Sequence, residues 1–300
     1  KTAYEIRLSL VGSEMCIRDS GTFGRVKLAF GGDGRPYALK MLLKEAMIAT
    51  DQTAAVLHER DVLRKTRHPF VLELLGVFHS RDVCYFLLEF VPGGELFSHI
   101  QDRGMAFEEA RFLAAHVLDA LDHVHAQGVV YRDLKPENIL IDAGGHLRLA
   151  DFGLSKRAIF GDDNNSSGQP AGGVSASGSG LTYTFCGTPE YMSPEVVLEQ
   201  GHGAAVDIWA TGVLACEMMT GQHPFYSKHK EEMYRRILTH EPQYPSYLSA
   251  DARDLMNRLT AKAPAQRLGG GLAGIAEVKV CILLPPLRLG RSANPSPTVS

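Results

Sequence analysis

The chain has 300 residues, 45% of them apolar, enough to bury the core of one large domain or of two lobes around a cleft. Its formal charge of −3 gives no broad basic field for nucleic acid or an anionic membrane, so any recognition of phosphate has to be local. The five cysteines (Cys16, Cys84, Cys186, Cys216, Cys281) are odd in number and lack C-x-x-C spacing, which favours a reducing intracellular compartment; no apolar run reaches the roughly 18 residues of a membrane span, and no cleavable-signal pattern opens the chain.

From Gly21 to Glu89 the pattern is that of strands. Val26, Leu28 and Phe30 alternate, Gly31 to Gly34 supply a turn, and Tyr37 to Leu42 run on as a second strand. A helix is expected between Asp51 and Thr66, where Ala55, His58, Glu59, Val62 and Leu63 recur at helical spacing. Beyond Pro92 helices take over. The strongest carries Ala110, Leu113, Ala114, Val117, Leu118, Leu121 and Val124 on one face and ends near Gly128; Val206 to Met219 and Asp251 to Leu259 are two more. The fold class is therefore α+β, with a small β-rich lobe before a larger helical one. Gly161 to Gly180 has almost no apolar side chain to offset the entropy of ordering, so a mobile insertion is expected there. From about Val280 to Ser300 prolines forbid a long helix and polar residues forbid a core, so a frayed tail is expected.

The chemistry sits in spaced motifs. Gly21-Thr22-Phe23-Gly24, between strand-like residues, lets backbone N–H groups approach phosphate oxygens with no Cβ in the way, although alone it is better read as an ordinary hairpin turn. Lys40 on the second strand and Glu59 in the next helix can pair, holding the ammonium where it meets α- and β-phosphates. The segment YRDLKPEN, Tyr131 to Asn138, is far more specific. Asp133 can accept or orient a hydroxyl proton, Lys135 can neutralise a transferred phosphoryl group, and Asn138 offers an amide oxygen to a hard cation. Asp151-Phe152-Gly153, after the apolar stretch His146 to Ala150, adds a second cation-binding oxygen.

With these motifs on the page, the sequence resembles the eukaryotic protein kinases from Gly21 to about Lys279. The resemblance implies a bilobal fold, with an N-lobe over 21–90 and a C-lobe over 91–279 that contains the 161–180 insertion. It implies ATP and Mg2+ as cofactors, with Asn138 and Asp151 as metal ligands. Nucleotide contacts are expected from Gly21, Thr22, Phe23, Gly24 and Val26, and from Ala38, Lys40, Leu88, Glu89 and Val91. Glu95, Glu137 and Leu140 are expected to contact the nucleotide as well. Ser193-Pro194-Glu195 stands at the A-P-E position, Glu195 is expected to pair with Arg267, and Asp207 to support the catalytic loop. Leu63, Leu74, Tyr131 and Phe152 would stack as a hydrophobic column.

Tyr131 before Arg132-Asp133, the phrase TFCGTPEYMSPE and HPFVLELLGVFHS are similar to the AGC group, nearest to the protein kinase B, serum- and glucocorticoid-regulated kinase and ribosomal S6 kinase families. Lys135 after Asp133 indicates Ser/Thr acceptors. In that resemblance Thr184 is the activation phosphosite, with Arg132 and Lys156 to receive the phosphate, and an upstream kinase is implied. Glu95, Glu137 and Glu217 are expected to select basic residues upstream of the acceptor. A monomer acting on protein substrates in the cytoplasm or nucleus is the corresponding expectation, with no nucleic acid partner. Cys186 reads either as a redox-sensitive thiol or as an inert buried one.

Two departures stand out. Asp19 occupies the place of the first loop glycine, and Lys1 to Ser20 lacks the expected first strand, which suggests a foreign leader over 1–20; over 280–300 the expected further helix and C-terminal tail are replaced by unrelated sequence. They keep open a second reading, a nucleotide-binding pseudokinase scaffold or a fragment, against which the joint presence of Lys40, Glu59, Asp133, Asn138 and Asp151 weighs.

Overall fold

The computed structural model describes residues 8–10, 16–20, 24–100, 104–157, 181–271 and 273–283. Gly21, Thr22 and Phe23, the 161–180 insertion and residues 284–300 lie outside them.

The first strands are β1 (Leu8–Leu10), β2 (Cys16–Ser20), β3 (Gly24–Gly31) and β4 (Pro36–Leu43). After them come α1 (Lys44–Ala49), α2 (Thr53–Lys65), β5 (Leu74–His79) and β6 (Val83–Glu89). The six strands make one sheet in the order β1-β3-β4-β6-β5, with β2 also paired to β3, all antiparallel. Backbone strands 8–10 and 16–20 thus join the sheet from within the stretch read as a foreign leader, and Asp19 pairs with Arg25. Strand alternation sorts the side chains by face. Leu39 on β4 and Leu87 on β6 bury with Ala29 on one face, whereas Leu42, Phe86 and Leu88 bury on the other, in the main core. Lys40 shares the parity of Leu42, so it points to the face that α2 covers with Glu59, Val62 and Leu63.

The helical part begins with α3 (Phe107–Ala126), whose first turn is fixed by Ala106 N donating to Glu109 Oε2 at 3.2 Å. Short strands β7 (Val129–Val130), β8 (Ile139–Ile141), β9 (Leu147–Leu149) and β10 (Lys156–Arg157) follow. They pair as β8 with β9 and β7 with β10, and the functional loops run between them. The remaining helices are α4 (Pro194–Val197), α5 (Ala205–Thr220), α6 (Lys230–Thr239), α7 (Ala250–Leu259) and α8 (Ile275–Leu283). Helix α5 is buried on nearly every side and forms the axis of this lobe. Its Trp209 stacks on Phe225 at 5.4 Å between ring centroids. Among the described residues no helix is long and apolar enough to cross a membrane.

The helices expected from periodicity appear within a few residues of their bounds as α2, α3, α5 and α7. Helices α1 and α6 were not anticipated. α1 has six residues, too few for a period to show, and α6 buries only Met233 and Ile237 in a polar segment. Helix α8 runs past Val280 to Leu283, because Ile282 is buried against the core and Lys279 Nζ is tied to Asp119 Oδ1 and Asp122 Oδ2 on α3, each at 2.7 Å.

Candidate active site

The site is assembled from the loop Tyr131 to Asn138, which lies between β7 and β8 and rests on α5. The fully buried Asp207 of α5 accepts from Tyr131 N at 2.8 Å and Arg132 N at 2.7 Å, and its carboxylate lies 2.7 Å from His125 Nε2. These bonds hold Arg132 at φ +68°, a left-handed conformation that costs a bulky residue about 1–3 kcal/mol and persists only where surroundings enforce it.

Asp133 follows, buried and fully engaged. Its Oδ2 receives Asn138 Nδ2 at 2.8 Å and lies 2.9 Å from Lys135 Nζ; its Oδ1 receives the Thr188 hydroxyl at 2.9 Å. Lys135 Nζ also donates to Thr188 Oγ1 at 2.9 Å, closing the ring. Thr188 was not foreseen. It lies far along the chain in GTPE, and only the fold brings it to Asp133. Gly187 before it has φ +106°, and a Cβ there would sit 2.9 Å from the Arg132 carbonyl oxygen, so a residue without a side chain lets the two segments touch.

The β8–β9 hairpin delivers the second acidic group. Ala150 N donates to Asn138 O at 2.8 Å, placing Asp151 beside the loop with φ +57° and its Oδ1 accepting from Gly153 N at 3.2 Å. Lys40 Nζ lies 2.6 Å from Glu59 Oε1 and 3.9 Å from Asp151 Oδ1, so sheet, α2 and hairpin meet at one ammonium. Burial pushes the Glu59 carboxyl above its ordinary value, with Lys40 pulling the other way. Phe152 is fully buried and meets Tyr131 edge-on at 5.0 Å, while the Tyr131 hydroxyl donates to Ala150 O. Leu63 and Leu74 belong to the same core. Above the loop, strand register sets Val26 opposite Lys40 and Ala38 opposite Leu88, and Val91 is buried at the strand's exit. Glu89 instead turns to Glu73 N (3.0 Å) and Arg148 Nε (3.3 Å), and Glu95 is placed by a backbone bridge to Leu140.

An open groove of about 1130 Å3 runs away from Thr188, lined by Glu137, Glu190 and Glu217. The Tyr191 hydroxyl donates to Glu217, whose carboxyl burial raises and that bond lowers; the net direction is up. Tyr191 too is a member that the sequence reading missed.

Thr184 is exposed, with Lys156 Nζ at 3.4 Å from its hydroxyl and Thr182 Oγ1 at the same distance. His58 on α2 lies within electrostatic reach of Arg157 and Arg132. Burial, then the nearby Arg157 and Arg132 guanidinium groups, lower its pKa, and its Nε2 is buried without a hydrogen-bond partner among the described residues. Sequence reasoning had used His58 only as a helix position. Burial pushes the Cys186 thiol up, the direction of an inert cysteine. Glu195 and Arg267 form a bidentate pair at 2.8 and 3.0 Å, both nearly inaccessible, as the sequence led us to expect.

Residues 19–279 match the family described as the protein kinase domain. The chain belongs to the protein kinase family. Its kinase domain is 42% identical over 260 residues to RAC-beta serine/threonine-protein kinase of Homo sapiens, covering 86% of this chain and 50% of that protein. It is 42% identical over 261 residues to Protein kinase 2 of Dictyostelium discoideum, with the same coverage. Against Ribosomal protein S6 kinase beta of Caenorhabditis elegans it is 39% identical over 265 residues, 86% of this chain and 45% of the relative. The chain spans about half the length of these relatives. The AGC serine/threonine resemblance and the α+β kinase fold are therefore borne out, and a kinase domain implies the use of ATP.

Proposed function

We propose that this kinase domain transfers the γ-phosphoryl group of Mg-ATP to serine or threonine hydroxyls of proteins with basic residues upstream of the acceptor, and that phosphorylation of Thr184 by another kinase activates it. The observation that carries the reading is the Asp133 carboxylate, bound at once by Asn138, Lys135 and Thr188, together with the meeting of Lys40, Glu59 and Asp151 at one ammonium.

Asn138 spends its amide nitrogen on the Asp133 carbonyl (2.9 Å) and carboxylate, which fixes the opposite edge, the amide oxygen, as the acceptor it can offer. That oxygen and the Asp151 carboxylate suit Mg2+, a hard ion that keeps waters and substrate phosphates in most of its shell. Among the described residues no group of three or more His, Cys, Asp or Glu could hold a metal, which accords with so sparse a protein share. The bound metal would neutralise phosphate charge. Asp133 accepts the proton of the incoming hydroxyl as its oxygen bonds to the γ-phosphorus and the bond to the ADP oxygen breaks; Lys135 offsets the charge that spreads over the phosphoryl oxygens. Lys40, held by Glu59, steadies the α- and β-phosphates.

The test is turnover of Mg-ATP on an arginine-rich peptide, by this chain and by its Asp19→Gly variant. Phosphopeptide is expected from both, more from the variant, which restores glycine at the place of the first loop glycine. Activity in neither would leave the nucleotide-binding scaffold as the reading.

Two finer expectations follow from the same site. Lys156 Nζ lies 3.4 Å from the Thr184 hydroxyl and Arg132 is the second cation expected to receive a phosphate there, so Thr184→Ala is expected to lower phosphorylated-enzyme activity about a hundredfold for loss of charge-assisted bonds. A variant as active as its parent after treatment with an activating kinase would end that account. Glu137→Gln and Glu217→Gln are expected to raise the KM for arginine-rich peptides about tenfold each, as removal of one partner of a charged hydrogen bond does, with little change for peptides lacking upstream basic residues. Equal effects on both peptides would remove the groove from substrate selection.

A further inference from the structure

Beneath the activation segment lies a small cavity of about 20 Å3, separate from the peptide groove. Four segments wall it: the catalytic loop through Arg132, the activation segment through Cys186 and Gly187, α4 and its cap through Ser193, and the approach to α5 through His202. Three side-chain atoms of these residues, Arg132 Nη1, Ser193 Oγ and His202 Nε2, are buried and have no hydrogen-bond partner among the described residues. Ser193 is 1% and His202 3% exposed, so bulk solvent does not satisfy them. Leaving three such groups unmet in one place is costly, and native interiors almost always resolve it.

Their chemistry is complementary. His202 Nδ1 lies 3.1 Å from Gln200 O, an acceptor only, so Nδ1 carries the proton and Nε2 presents a bare lone pair. Burial lowers the His202 pKa, which keeps this neutral tautomer at pH 7. Arg132 Nη1 can only donate. Ser193 Oγ can do either, and it is the side chain that an alanine at this place in A-P-E would lack. A donor, an acceptor and an amphoteric hydroxyl around a space that exceeds the roughly 10–15 Å3 a water needs are the two to four polar partners of a buried water.

We propose that this cavity is the binding site of one ordered water that accepts from Arg132 Nη1, donates to His202 Nε2 and exchanges a hydrogen bond with Ser193 Oγ. His202 and Ser193 are thereby positioning residues for the catalytic loop. The linkage has a defined reach. His202 is bonded to Thr182 through both backbone groups at 2.9 Å, Arg132 adjoins Asp133, and the Cys186–Thr188 segment closes the lid of the cavity while Thr188 holds Asp133. The water would couple the activation segment to the catalytic carboxylate without touching substrate.

The test has a structural and a functional arm. A crystal structure of this chain at a resolution that defines waters is expected to show one within hydrogen-bond distance of at least two of the three atoms; a dry cavity, or one filled by a turned side chain, overturns the proposal. His202→Gln keeps a hydrogen-bond acceptor, whereas His202→Phe keeps bulk and loses it. The polar site requires the Gln variant to unfold at the higher temperature of the two, with the Phe variant also losing about tenfold in kcat/KM for peptide, through the peptide KM, at unchanged ATP KM. The opposite order of unfolding temperatures, the order of an apolar filler, refutes it. The kinetic readout rests on the kinase reading above. The crystallographic and thermal readouts do not, so a chain without turnover leaves the water site decided on its own terms.

Discussion

Asp133→Asn is expected to lower kcat by about a thousandfold, within the range of a lost general base, while the KM for ATP stays near that of the parent. The amide matches the carboxylate in size and can still meet Thr188 and Lys135, but it cannot take the acceptor's proton. Because the side chain sits in a ring of bonds rather than an apolar pocket, the unfolding temperature should hardly move. Steady-state kinetics on a peptide substrate, with thermal unfolding alongside, separates the outcomes. Near-parental turnover would show that proton transfer to Asp133 does not limit the reaction, and loss of folding would show the role to be architectural.

The second large effect concerns stability. Arg267 is wholly inaccessible, grips Glu195 with both guanidinium nitrogens, and donates to Ala205 O at 2.6 Å and Ala261 O at 3.1 Å. It also lies 5.3 Å from the Trp209 ring centroid. Arg267→Met leaves a buried carboxylate without its cation, and such a loss costs about 3–5 kcal/mol, a large part of the 5–15 kcal/mol that holds an ordinary domain together. Adding Glu195→Gln should recover part of it, since the stranded charge is then gone. Urea denaturation of the two single variants and the double variant measures this directly. Additive losses, with no recovery in the double variant, would mean that the pair is not coupled as the geometry states.

The sequence disclosed those parts of the molecule whose meaning is local. Helices α2, α3, α5 and α7 bury one stripe or a whole surface, so periodicity marks them; β3 and β4 alternate around a glycine-rich turn. The Lys40 to Glu59 and Glu195 to Arg267 pairs were legible because each charged residue stands in a motif that demands a partner. Thr188, Tyr191 and His58 were not, since an ordinary threonine, tyrosine or helix-borne histidine becomes distinctive only when the fold lays it beside Asp133, Glu217 or Arg157. A signal for Thr188 did exist. It lies close behind Thr184 in a segment that has to cover the catalytic loop, and Gly187 announces a close approach. The cavity below the segment had no signal at all, because three unpaired atoms from distant positions cannot be read from their neighbours in sequence.

One carboxylate in α5, Asp207, grips the backbone on either side of the Tyr131–Arg132 bond and reaches His125 as well. This makes the eight residues from Tyr131 to Asn138 poor material for transplantation. Grafted into another scaffold, or made as a peptide, they would carry every reactive group and hold none in place, because the backbone shape that aims them belongs to a helix more than seventy positions downstream. The same dependence also protects them. Sequence drift in the sheet above leaves the loop's own conformation to the helical lobe, although the chemistry still draws Lys40 and Glu59 from that other half.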